Sequence, residues 1–188
     1  MGAANKSIGI IVLAAGASRR MQEPKQLLHF EGKTLLRRAV ETAISTSCKP
    51  VVVVLGANFN ETLAEIKDLP VNVCHNTDWR KGLSSSLQCG LKNMLNLYPN
   101  LDAFIATLAD QPYISANHLQ NFINKYQQTN NPLIAAKYNE INGVPALFGK
   151  QIFNEFKEIS GDKGAKMILK KHQDTLISID LPEAAHDI

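Results

Sequence analysis

The chain is poor in the residues that build metal sites, disulfide frameworks or membrane anchors. Its 188 residues include three cysteines, Cys48, Cys74 and Cys89. They form no C-x-x-C pair and show no metal-ligand spacing, so the sequence predicts small buried apolar side chains and a reducing compartment. The five histidines, His29, His75, His118, His172 and His186, show no metal spacing and join no Ser–His–Asp arrangement. No apolar run is long enough to span a membrane, and residues 1–7 lack the apolar region of a signal peptide. A cytoplasmic protein is the expectation. There is no internal repeat, no low-complexity tract and no linker, and residues 1–188 read as one domain. The net charge is +3. The basic residues are spread out rather than massed, which does not point to nucleic acid.

What remains is an ordinary globular composition, 45% hydrophobic and 20% charged, with a regular alternation along it. Ile8 to Leu13 reads as a buried strand. Leu35, Leu36, Ala39, Val40, Ala43 and Ile44 have helical spacing. Val51 to Leu55 is a second buried strand, followed by a helix near 61–67 and a short strand near 71–74. Leu83, Leu87, Leu91, Met94 and Leu95 mark the next helix, and Ala103 to Leu108 another buried strand. A helix with Ser115 as N-cap carries Leu119, Phe122, Ile123 and Tyr126. Strands near 133–136 and 146–148, helices near 151–158 and 163–171, and a strand at 176–179 complete the chain. Alternation of this kind predicts an α/β architecture, a mostly parallel sheet covered by helices on both faces. The two closely spaced strands near 133 and 146 could add an antiparallel pair. Ligands of such sheets bind beyond the carboxyl ends of the strands, which selects the loop after Leu13, the turn at Asp110, and Asp180.

The loop after Leu13 runs Ala14-Ala15-Gly16-Ala17-Ser18-Arg19-Arg20-Met21, with Lys25 close behind. It is neither a Walker motif nor the three-glycine dinucleotide fingerprint. Its small residues let a ligand approach the backbone, and Arg19, Arg20 and Lys25 add positive charge. A phosphate site fits these features. A surface loop with solvated bases fits them equally. Asp110 stands either as a magnesium ligand beside the phosphates or as a turn aspartate, and Asp180 as its partner or another turn residue. Asn76, Trp79, Gly82, Ser84, Ser85 and Ser86 open a helix. They could contact a ribose, base or phosphate, or simply cap and anchor that helix. Asn142 to Pro145 and Gly161 to Ala165 could line a second pocket, with Asp162 otherwise the N-cap of the following helix.

Together these segments resemble the MobA-like nucleotidyltransferases, and among them the molybdenum cofactor cytidylyltransferases. The matching pieces are Leu13 to Met21 with Lys25; Asn76, Trp79 and Gly82; Asp110-Gln111-Pro112; Gly143 and Pro145 before Phe148; and Gly161-Asp162-Lys163-Gly164-Ala165. Gln22, Val144, Lys166 and Leu181 depart from the family pattern. The resemblance implies a Rossmann-like, three-layer nucleotidyltransferase fold with a mostly parallel sheet. It implies that Leu13, Ala14, Ala15, Gly16, Ser18, Arg19, Arg20 and Lys25, with Asn76, Ser84 and Ser85, bind a nucleoside triphosphate. Lys25 and Asp110 would be the catalytic pair, with Mg2+ held by Asp110 and Asp180. The implied reaction moves CMP from CTP onto the terminal phosphate of a molybdopterin-type acceptor. The product would pass to a molybdenum hydroxylase. A phosphate monoester is already largely ionised at neutral pH, so the missing general base is no obstacle. The alternatives are another phosphorylated acceptor, or a module that binds and delivers the finished cofactor. Ala15 stands where related guanylyl enzymes tend to have glycine, and its β-carbon could limit room for a purine.

Overall fold

Ile8–Ala14 (β1) is apolar throughout, and all its residues are buried. Such a run suits a strand covered on both faces. In the computed structural model, which describes residues 6–17 and 23–188, β1 lies inside a seven-stranded sheet. The elements after it are β2 (His29–Phe30), β3 (Lys33–Thr34), α1 (Leu35–Ile44), β4 (Val51–Leu55), α2 (Phe59–Ala64), β5 (Asn72–His75), α3 (Leu83–Leu97) and β6 (Ala103–Leu108). Then come α4 (Ala116–Thr129), β7 (Leu133–Tyr138), β8 (Ile141–Gly149), α5 (Lys166–Lys171) and β9 (Ile177–Asp180). The sheet order is β5-β4-β1-β6-β8-β7-β9, while β2 and β3 form a small separate ladder.

The expected alternation is present. β1 pairs in parallel with β4 and β6, as do β4 with β5 and β7 with β9. Among the described strands of the large sheet, β8 alone runs against its neighbours, β6 and β7. The strands expected near 133 and 146 are thus one longer hairpin. Ser115 caps α4 as its sequence predicts: its Oγ accepts the N–H of His118 at 3.3 Å. The segment expected as a helix near 151–158 is a 3-10 helix, Lys150–Lys157, that buries Ile152 and Phe156. Asp162 does not cap α5. It lies in a 3-10 turn, Gly161–Lys163, and Lys163, Gly164 and Ala165 stand between it and the helix.

The two faces of β1 feed two cores, as the two-residue period of a strand requires. Ile8, Ile10, Val12 and Ala14 pack with Leu36 and Val40 of α1 and with Leu119 and Phe122 of α4. Ile11, Leu13 and Ala15 pack on the opposite face with Leu87, Leu91 and Met94 of α3. Each Leu, Ile, Val, Phe or Met side chain so buried contributes roughly 1.5–3 kcal/mol. Cys74 of β5 and Cys89 of α3 are disulfide-bonded, and Cys48 is buried and free. Spacing alone hid this pair, because its members lie 15 residues apart on elements of different type. The bond removes the cysteine argument for a reducing compartment. No helix among the described residues is long and apolar enough to cross a membrane.

Candidate active site

From β1 the chain moves outward through β4 to β5, then returns to the other side of β1 as β6. The connections leaving β1 and β6 therefore diverge. A crevice opens at their carboxyl ends, where sheets of this type bind ligands. A cavity of about 520 Å³ lies there. Leu13 to Ala17, Lys25 and Gln26 line one side, Leu108 to Asp110 another, and Trp79, Arg80, Gly82, Leu83, Ser86 and Asp162 a third.

The first wall is held by a residue that the sequence reading passed over. Gln26 is 6% exposed. Its Nε2 donates to Ala14 O at 3.2 Å and to Gly16 O at 2.6 Å. One buried amide thus fixes the turn by which β1 enters the loop, and the same short 3-10 turn, Lys25–Leu27, presents Lys25 to the cavity. The signal available in the sequence was only position: a glutamine next to the candidate lysine. Ser18, Arg19 and Arg20 lie outside the described residues.

Asp110 is half-buried at the end of β6 and lines the second wall. Burial pushes its carboxyl above the ordinary carboxylate range; the charge of Lys25 works the other way, and Asp187 adds to the rise. Lys25 and Asp110 are therefore near enough to sense one another. Gln111 turns inward behind Asp110, 4% exposed. Its Nε2 donates to Val144 O at 3.2 Å and to Ala184 O at 2.8 Å. Those bonds fasten the β7–β8 hairpin and the 3-10 turn Pro182–Ala185 beside Asp110. Ile188 N–H donates to Asp110 O at 3.2 Å and brings the chain's last residues to the same spot.

Asp180 is not in the cavity lining. It is exposed at the end of β9, three strands from β6 in the sheet order, paired in register with Lys137. The carboxylate whose charge reaches Asp110 is Asp187, which no sequence pattern marked. The described residues contain no group of three or more His, Cys, Asp or Glu side chains arranged to hold a metal ion. One carboxylate facing a cavity still fits magnesium, which takes few protein ligands and completes its shell with phosphate oxygens and water.

The third wall is the entry to α3. Gly82 has φ +95°, a value that favours glycine, and a β-carbon there would lie 2.5 Å from Asp162 Oδ1 and from the Gly161 backbone. This close approach clasps the 161–163 turn onto the start of α3 and brings Asp162 to the cavity. Asn76, expected to meet the nucleotide, is 4% exposed and used internally. Its Nδ2 donates to Ser85 Oγ at 2.9 Å and to Ser86 Oγ at 3.0 Å, and its Oδ1 accepts from Asp78 N–H at 3.0 Å. Ser84 is buried and, like Ser85, does not line the cavity; Ser86 does. Helical rotation makes this choice among three adjacent serines, and sequence alone does not set its phase.

A match to the MobA-like NTP transferase domain covers residues 10–176. The chain belongs to this family. Nicotine blue oxidoreductase of Paenarthrobacter nicotinovorans is 29% identical, over 86% of this chain and 80% of that protein. The purine catabolism protein PucB of Bacillus subtilis is 27% identical, over 87% of this chain and 80% of its own length. Rv0371c of Mycobacterium tuberculosis H37Rv, 23% identical, superposes with a TM-score of 0.83 over 95% of this chain and 90% of that one. Its manganese complex gives 0.76 at 22% identity, over 94% and 89%. These structures share the α/β nucleotidyltransferase fold, with its mostly parallel sheet.

Proposed function

We propose that this MobA-like transferase moves CMP from CTP to the terminal phosphate of a molybdopterin-type acceptor, releasing pyrophosphate. The observation that carries the reading is the crevice between β1 and β6, where the small-residue loop, Lys25 and Asp110 line one cavity. The acceptor's phosphate oxygen attacks the α-phosphorus of CTP, the bond to the β-phosphate oxygen breaks, and pyrophosphate leaves. Lys25 offsets charge on the phosphates. The loop and the α3 entry hold the nucleotide in line with the acceptor. Positioning and charge neutralisation supply most of the catalysis in transfers of this kind. Asp110 would hold Mg2+, which when bound neutralises charge on the phosphate oxygens. The choice of CTP and of the pterin acceptor rests on the resemblance of Leu13 to Met21 and of Asp110-Gln111-Pro112 to the cytidylyl enzymes.

Residues 1–188 act as a single domain in the cytoplasm, and a molybdenum hydroxylase receives the product. The relative named as an oxidoreductase raises hydride transfer as a rival. The loop after β1 has one glycine where the dinucleotide fingerprint has three, which favours nucleotidyl transfer.

The deciding measurement is pyrophosphate release from CTP and Mg2+, with and without molybdopterin. Release that requires molybdopterin supports the proposal. Release with a sugar phosphate alone replaces the acceptor. No release with any acceptor, alongside tight binding of the finished dinucleotide, turns the protein into a delivery module.

A further inference from the structure

We propose that Trp79 is the surface on which the nucleotide's base stacks, and that Gly56 and Ala15 are positioning residues that seat it; this deepens the nucleotidyltransferase reading and rests on it. The cavity lining is of two kinds. Lys25 and Asp110 suit phosphates and a cation, whereas on the α3-entry wall Trp79 and Leu83 offer apolar surface beside Arg80, Ser86 and Asp162. Trp79 is the only tryptophan in the chain and is half-buried. The exposed Arg80 guanidinium lies over its ring, 4.4 Å from the centroid, so a stacking base takes the other face or displaces this side chain. A nucleobase stacks well on an aromatic ring, with guanidinium contacts adding to the attraction.

The position of that ring is set from behind. Gly56 ends β4, and a β-carbon there would lie 2.7 Å from Ala15 O, 2.8 Å from Trp79 Cβ and 2.9 Å from Ala15 Cβ. Glycine at this position is what allows Ala15 and Trp79 to pack together. Ala15 itself is 5% exposed and belongs to the α3-side core with Trp79. It lines the cavity as well, so it stands between that core and the bound nucleotide. Through its contact with Gly56 and Trp79, position 15 influences base choice by setting where the Trp79 ring sits.

The test uses Trp79 emission and calorimetry on the whole chain, with CTP, GTP and inorganic tripolyphosphate as probes. The expected result is that CTP changes Trp79 emission while tripolyphosphate, which competes for the loop, does not. In Trp79→Leu, CTP binds about tenfold more weakly and tripolyphosphate binds as before. In Gly56→Ala, the KM for CTP rises about tenfold, kcat changes less than threefold, and the preference of CTP over GTP narrows. If Gly56→Ala does not fold, Ala15→Gly serves, because loss of the methyl loosens the same seat and shrinks the CTP-dependent emission change. Equal loss of CTP and tripolyphosphate binding in Trp79→Leu overturns the inference, as does an unchanged CTP affinity. If the unmodified protein binds no nucleoside triphosphate at all, the nucleotidyltransferase reading itself fails, a result separable from the others.

Discussion

Two walls of the cavity are built on the same local device and differ in how far it reaches. Lys25 is followed by Gln26, and Asp110 by Gln111. Each glutamine is buried, each donates its Nε2 to two backbone carbonyls, and each leaves its Oε1 buried without a partner among the described residues. Gln26 bonds to Ala14 and Gly16, 12 and 10 residues away, within the loop it serves. Gln111 bonds to Val144 and Ala184, 33 and 73 residues away. The basic wall is therefore self-contained. The acidic wall stands only when the β7–β8 hairpin and the turn after β9 have docked behind it. Damage to the first should stay local to nucleotide binding, whereas damage to the second should reach the fold.

The largest effects fall on the charged residues themselves. Asp110→Ala is expected to lower turnover by about a hundredfold or more, the scale of removing one preorganised electrostatic contact, with circular dichroism unchanged. Near-normal pyrophosphate release in that variant removes Asp110 from the reaction. Lys25→Ala is expected to raise the KM for the nucleoside triphosphate by about tenfold, since a charge-assisted contact to phosphate contributes roughly 1.5–3 kcal/mol. An unchanged KM means that the phosphates sit elsewhere.

The glutamines separate the two walls. A carboxylate cannot donate to two carbonyls, so a Gln→Glu change breaks both bonds with little change in size. Gln26→Glu is expected to raise the KM for CTP severalfold. Both variants leave two carbonyls unsatisfied, but Gln111→Glu also releases the β7–β8 hairpin and the Pro182–Ala185 turn, so it is expected to cost the more stability, about 2–3 kcal/mol. Its KM for CTP should move less than that of Gln26→Glu. If both variants lose binding and stability in the same proportion, the contrast between a local and a long-range staple is wrong.

The sheet was readable because its information is local. Runs such as Val51–Leu55, buried at all five positions, announce a strand without any tertiary knowledge. The loop after β1 and Asp110 were readable for the same reason, as they follow directly from strand ends. What was hidden depends on rotation, pairing or return of the chain. The choice of Ser86 over Ser84 and Ser85 is a matter of helix phase. The Cys74–Cys89 bond joins a strand to a helix. Asp180 was chosen as a strand end, but sheet order puts β9 at the far edge from β1 and β6. Asp187 reaches Asp110 because the chain folds back after β9, and nothing in its neighbours predicts that course.

The smallest expected effect concerns stability at the acidic wall. Burial raises the carboxyl pKa of Asp110 above the unfolded value of 3.8, against the opposing charge of Lys25 and with the help of Asp187. A carboxyl whose pKa is raised in the folded state favours folding most when it is protonated. That contribution is complete below pH 3.8 and is lost as pH rises through the folded value. At neutral pH the folded chain therefore carries the cost of an ionised, partly desolvated carboxylate. Asp110→Asn removes the charge and keeps the shape. Without divalent cations, this variant should melt above the unmodified protein at pH 7. Below pH 3.8 the two curves should converge, provided both chains remain folded there. A lower melting temperature for the variant at pH 7 means that Lys25 outweighs burial, which makes the two walls an ion pair rather than a cavity held open for a ligand.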